Sequence, residues 1–201
     1  MEHIAHFQKK DKRLIKIIGE PVSELRRRKN IPLTLIESIM SQQLSTKVAD
    51  VIHTRFLALY GSKEPTLQQI LDTPLTTLRS IGLSNAKTTY VHNVAKFCVE
   101  YNITDKKLNV MANEEVIELL TQIKGVGRWT VEMLLMFTLG REDVFAIDDL
   151  GLQQSMIKLY KLNASDKKQL RERLLKISSK WSPYRTYACM YLWRWKDGKM
   201  I

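Results

Sequence analysis

Apolar residues recur along the chain at steps of three to four, and period-two alternation is scarce. Leu33, Ile36, Met40, Leu44, Val48, Val51, Ile52 and Phe56 form the first long stripe, the spacing of one helical face. Pro32 suits a first helical turn, the polar group Ser41-Gln42-Gln43 interrupts the stripe, and Ser45 caps a second helix that ends at Tyr60-Gly61. Asp72-Thr73-Pro74 predicts a short helix carrying Leu75 and Leu78 and stopped by Ile81-Gly82. Ser84 then predicts the cap of a helix with Ala86, Tyr90, Val94 and Phe97. Asn113 is the expected cap of a helix holding Val116, Leu119 and Leu120. The run 131–139 is apolar on nearly every side, as a buried central helix requires, and Gly140 ends it. Val144-Phe145-Ala146-Ile147 leads, extended, into Asp148-Asp149. Three more helices follow: through Gln153, Met156 and Leu159, from Asp166 to about Ser178, and from Tyr184 to Trp195. With two helical pieces before Pro32, the pattern predicts an all-α protein of roughly ten helices.

Composition narrows the partners. The chain has 201 residues, 44% of them hydrophobic, enough for one large or two small closely packed domains. Lys and Arg number 32 against 21 Asp and Glu, a net charge of +11. The excess runs through the whole chain, which implies a folded body with a positive face and a polyanionic partner. Cys98 and Cys189 each sit in an apolar helical run and read as buried small hydrophobes. Without a CxxC or Cys/His cluster, neither zinc nor an iron–sulfur cluster is expected. No run approaches about 18 apolar residues, and Met1 to His6 carries no apolar signal core, so a soluble protein with no membrane partner is expected.

The candidate chemistry lies in two places. Gly125-Val126-Gly127, between two helix-forming runs, reads as a tight hairpin whose glycines allow φ > 0 and close backbone approach. The helix opening at Arg128-Trp129-Thr130 would aim N–H groups and its positive dipole end at an anion, and on so basic a chain that anion is a nucleic-acid phosphate. Asp148-Asp149 then supplies carboxylates. No second acidic cluster accompanies them, which disfavours a two-metal nuclease, and no phosphate loop appears. Aromatics do accompany them: Trp129, Trp181, Tyr184, Tyr187, Tyr191, Trp193 and Trp195. Stacking faces beside one carboxylate suit an enzyme that extrudes a base and breaks its glycosidic bond. Each signal also has a structural reading. An Asp before a helix is a common N-cap, Trp181, Tyr187 and Tyr191 at helical spacing suit a core, and Gln42 and Gln43 could satisfy a helix end.

Taken together, the motifs resemble the helix-hairpin-helix DNA glycosylase superfamily, and within it the 3-methyladenine DNA glycosylase II branch. The matching pieces are Ile39 to Ser45, Ile81 to Lys87, Gly125 to Thr130, Val144 to Leu150 and Trp181 to Ala188, in family order. The resemblance spans about residues 15 to 196. It implies a single glycosylase domain over 1–201, with one subdomain about 32–140 containing the hairpin. The other would comprise about 1–31 plus 141–201, with the active site in the cleft between two closely packed helical halves. It also implies the compact form, without an amino-terminal β-rich domain, and the four cluster cysteines of endonuclease III-like relatives are absent.

Residue by residue, the resemblance makes Asp149 the catalytic aspartate. Trp129 stands where bifunctional relatives carry a lysine nucleophile, which implies hydrolysis without strand cleavage. Trp129 and Trp193 would line the base pocket, and Gln43, beside Gln42, would enter the gap left by a flipped nucleotide. Gln42, Gln43, Gly125, Val126, Gly127, Arg128 and Thr130 would bind DNA. Main-chain carbonyls of Thr121, Ile123 and Val126 would hold a structural Na+ or K+ beside a phosphate, with no cofactor required for catalysis. The expected substrate is double-stranded DNA containing alkylated purines, bound by a monomer in the cytoplasm and nucleoid, or in the nucleus. A glycosylase for oxidised or mismatched bases and a non-catalytic DNA-binding module are the competing readings.

Overall fold

Helix starts follow the short polar residues. In the computed structural model, which describes residues 1–198, twelve α-helices and two 3-10 turns account for the regular structure, with no strand among the described residues. The helices are α1 (Glu2–Lys10), α2 (Ile31–Ser41), α3 (Thr46–Ala58), α4 (Leu67–Asp72), α5 (Leu75–Ser80) and α6 (Asn85–Glu100). They continue as α7 (Asp105–Val110), α8 (Asn113–Leu120), α9 (Arg128–Phe137), α10 (Leu150–Tyr160), α11 (Lys167–Ser178) and α12 (Arg185–Lys196). The 3-10 turns lie at Leu14–Ile17 and Ser179–Trp181. The all-α reading therefore holds. Two short helices outside the predicted set, α4 and α7, are each six residues long.

Caps explain most boundaries. Ser45, Ser84 and Asp166 accept backbone N–H groups of α3, α6 and α11, as their positions predict. Asn113 departs from its expected role, because it is the first helical residue of α8. The Ala112 N–H is instead taken by the Glu115 carboxylate at 2.6 Å. Asn30 precedes α2 in the left-handed region, φ 57°, and gives no side-chain cap. Asp105, from α7, accepts the N–H groups of Asn30 and Ile31 at 2.7 and 2.8 Å in its place.

The chain divides into two units, Met1–Arg27 with Leu135–Ile201, and Arg28–Leu134. In the Arg28–Leu134 unit the core is built on α2, whose Ile31, Leu33, Leu35, Ile36, Ile39 and Met40 are all buried. A helix buried on so many sides has to be covered all round, and α3 and α6 pack against it. The other unit is centred on α10 against α12, with Phe7, Leu14, Leu152, Met156, Trp181, Tyr191 and Leu192 buried. Trp181, Tyr187 and Tyr191 are thus core residues and offer no stacking face. Cys98 and Cys189 are buried as expected, and burial pushes the Cys98 thiol up to about 12.

One polar network sits inside the first unit. The buried Asp11 carboxylate accepts the Tyr160 hydroxyl at 2.7 Å, the Trp181 indole N–H at 2.9 Å, and the backbone N–H groups of Arg13 and Leu14, each at 3.1 Å. Asp11→Ala strands two buried donors at once. The expected loss of stability is about 3–5 kcal/mol, to be read as a lower urea midpoint in chemical unfolding.

Candidate functional site

Between α8 and α9 the chain makes its glycine hairpin within the Arg28–Leu134 unit. The Val126 N–H donates to the Ile123 carbonyl at 2.9 Å, which closes the turn. Gly125 has φ 104°, and a Cβ there would stand 2.2 Å from Cγ of Tyr90, so the chain's own packing demands glycine. Gly127 differs from the prediction. Its φ lies outside the left-handed region, and a Cβ would meet nothing within 4 Å. Nothing inside the protein requires a glycine at this exposed position. Asn93 donates its side-chain N–H to the Lys124 carbonyl at 3.0 Å and ties the hairpin to α6.

Arg128 opens α9, but its guanidinium is occupied. It binds Glu114 at 2.8 Å and the buried Glu132 at 3.0 Å, four residues on. The hydrogen bond it donates to Glu114, ahead of that to Glu132, holds the guanidinium above its ordinary range. The side chain therefore braces α8 against α9. Of the two bracing carboxylates, Glu132 was legible from its i, i+4 spacing, whereas Glu114 was not.

Behind the hairpin, Ser38, Ser41, Gln42, Gln43, Trp129, Thr130 and Met133 line a concavity of about 490 Å³. Trp129 is 43% exposed. Gln42 donates to the Thr130 hydroxyl at 3.1 Å, which fixes its amide against α9. Gln43 is exposed and sits in the left-handed region at φ 58°, a conformation that costs a non-glycine residue about 1 kcal/mol or more. Lys87, from α6, donates to the carbonyls of Met40 and Gln42 at 2.9 and 2.7 Å. Burial lowers its pKa. Lys87 therefore holds the end of α2, and with it the turn that carries Gln43. The sequence marked Lys87 only as part of a matching motif.

The carboxylates belong to the other unit. Asp149 is the N-cap of α10, and its Oδ1 accepts the Leu152 N–H at 2.8 Å. The same oxygen accepts the Trp193 indole N–H at 3.0 Å. Asp148 points elsewhere and pairs with Arg171. The two aspartates are thus separated by role: Asp149 is half-buried and held by N–H donors, whereas Asp148 is exposed and paired with a cation.

Thr121, Ile123 and Val126 all lie in or beside the hairpin turn. Their carbonyls are hard oxygen donors of the kind that Na+ or K+ takes. The Ile123 carbonyl accepts one N–H and has a second lone pair.

The glycine hairpin between α8 and α9 gives this basic helical chain a helix-hairpin-helix element. The chain belongs to the HhH-GPD superfamily of base excision DNA repair proteins, whose family model matches residues 36–180. It is similar to DNA-3-methyladenine glycosylase 1 of Schizosaccharomyces pombe, 36% identical over 195 residues that cover 96% of this chain and 84% of the relative. Among solved structures it is similar to the Schizosaccharomyces pombe 3-methyladenine DNA glycosylase in complex with abasic DNA. That match has a TM-score of 0.80 and 34% identity and covers 96% of each chain. It is also similar to a DNA-3-methyladenine glycosidase from Bacillus halodurans, with a TM-score of 0.84 and 35% identity over 98% of this chain and 89% of that one.

Proposed function

We propose that this chain is a monofunctional DNA glycosylase that flips alkylated purines of the 3-methyladenine and 7-methylguanine class out of duplex DNA and hydrolyses their N-glycosidic bond. The observation that carries the reading is Asp149: a half-buried carboxylate with two N–H donors on one oxygen, in a member of a base-excision family. Family membership and the relatives' names support the substrate class.

The chemistry follows from the leaving group. Methylation at N3 or N7 makes the purine cationic, so it departs as a neutral base with the electron pair of the C1′–N bond and needs little protonation. The ionised Asp149 stabilises the oxocarbenium-like sugar, and water then adds its oxygen to C1′ and loses a proton to the carboxylate or to solvent. Trp129, 43% exposed, offers an aromatic face to the cationic ring, worth roughly 0.5–2 kcal/mol. With tryptophan at 129 there is no amine to form a Schiff base, so the product is an intact strand with an abasic site.

The hairpin would anchor the backbone through Gly125, Val126, Gly127, Thr130 and the main chain of Arg128, since that side chain is held by Glu114 and Glu132. A monovalent cation on the Thr121, Ile123 and Val126 carbonyls would add positive charge beside a phosphate. Gln43, already held in an unusual conformation, is the candidate wedge, with Gln42 behind it. A monomer suffices for one lesion, and the place of action is wherever the chromosome lies, nucleoid or nucleus. Among the described residues no helix is long and apolar enough to cross a membrane. The test is end-labelled methylated duplex treated with the protein. Strand breaks are expected only after alkali, and breaks before alkali would refute the monofunctional reading.

A further inference from the structure

We propose that Trp193 is the positioning residue of the Asp149 carboxylate, and that Gly151 is the residue that makes room for the pair. The inference rests on the reading of Asp149 as the catalytic group. It gives Trp193 a task that an aromatic wall alone does not perform.

The geometry is set by α10 packing on α12. Ser155 donates to the Gly151 carbonyl at 2.8 Å and to the Leu192 carbonyl at 3.2 Å, which ties the two helices together one residue before Trp193. From α12 the Trp193 indole N–H reaches Asp149 Oδ1 at 3.0 Å, and from α10 the Leu152 N–H reaches the same oxygen at 2.8 Å. Two donors from different elements fix both side-chain torsions of an aspartate. They hold the carboxylate plane in one orientation before any substrate arrives, which is what electrostatic stabilisation of a developing cation requires. The Phe137 ring lies 6.1 Å from the Trp193 ring, tilted at 41°, and packs beside the indole.

Gly151 supplies the second, independent observation. It lies in the first turn of α10, where its φ is not in the left-handed region, so backbone conformation does not ask for glycine. Glycine weakens a helix relative to alanine. A Cβ at 151 would stand 3.1 Å from Asp149 Oδ1 and 3.4 Å from Cδ1 of Trp193, with Cδ of Lys196 at 3.6 Å. The missing methyl thus keeps space for this hydrogen-bonded pair. Stacking alone calls for an aromatic face at 193, for which phenylalanine serves. Holding the carboxylate calls for the indole N–H.

The experiment compares wild type with Trp193→Phe, Gly151→Ala and Asp149→Asn, measuring single-turnover release of methylated purine, affinity for abasic-site duplex and thermal midpoint. Trp193→Phe keeps a ring and removes the donor. Its release rate is expected to fall about tenfold, the scale of one hydrogen bond to a charged group, with duplex affinity unchanged. Gly151→Ala is expected to slow release without lowering the thermal midpoint, and it carries the test if Trp193→Phe fails to fold. A wild-type rate for either folded variant overturns the inference, as does a rate loss in Trp193→Phe matched by an equal loss of affinity. Asp149→Asn separates the two levels. If it releases base normally, the reading of Asp149 falls and this inference with it. If it is inactive while Trp193→Phe is fully active, only the positioning role is overturned.

Discussion

Replacing Asp149 by asparagine is expected to lower base release about a thousandfold while leaving fold and duplex binding essentially intact. The argument lies in what asparagine retains. Its side-chain oxygen can still accept the Leu152 and Trp193 N–H groups that meet at Oδ1, so α10 keeps its cap and the local packing is preserved. What is lost is the negative charge opposite a developing sugar cation. Asp148→Asn is the paired control, because Asp148 is exposed and engages Arg171. That substitution is expected to leave the release rate near wild type. Release by Asp149→Asn at the wild-type rate would remove Asp149 from the chemistry.

The two hairpin glycines are expected to respond in opposite ways to the same substitution. Gly125→Ala puts a Cβ 2.2 Å from the Tyr90 ring at a position with φ 104°, so the clash and the backbone strain act together. The expected loss is about 2–4 kcal/mol of stability, with the hairpin displaced. Gly127→Ala meets neither obstacle, since its Cβ would have nothing within 4 Å. Its thermal midpoint is expected to stay near wild type while duplex affinity falls about fivefold or more, equivalent to ~1 kcal/mol, because in the proposed mode of binding a methyl group then stands in the path of the DNA backbone. Equal effects on both folding and binding at the two positions would contradict the division of labour drawn between them.

Local features were legible in the sequence because their causes are local. Ser45, Ser84 and Asp166 announce helix starts since a cap and its donor lie two or three residues apart. The Thr66–Gln69 capping box of α4 was equally readable, though its six-residue helix is too short to show a period. Asp105 capping α2 was not readable: the acceptor and its donors lie about 75 residues apart in the chain. The same holds for Trp193 on Asp149, separated by 44 residues. The family resemblance named both residues, and only the fold relates them.

The glycine pair shows a different limit. Sequence reading treated Gly125 and Gly127 alike, because a glycine's purpose is written in its φ and in the atoms around it. One serves the hairpin's own geometry, and the other leaves an exposed surface open. Arg128 is a similar case. As a cation at a helix start it reads as a phosphate ligand, yet Glu114 and Glu132 have already taken its guanidinium. The aromatics divide as their spacing suggests: Trp181 and Tyr191, which suit a core, are fully buried, while Trp129 keeps 43% of its surface exposed.

The most direct measurement is chromatographic identification of what the purified protein releases from methylated duplex DNA at neutral pH without added cofactor. The account predicts free 3-methyladenine and 7-methylguanine, released well above the spontaneous rate, with the strands unbroken. No free base above the spontaneous rate, or free base accompanied by strand cleavage, would contradict it.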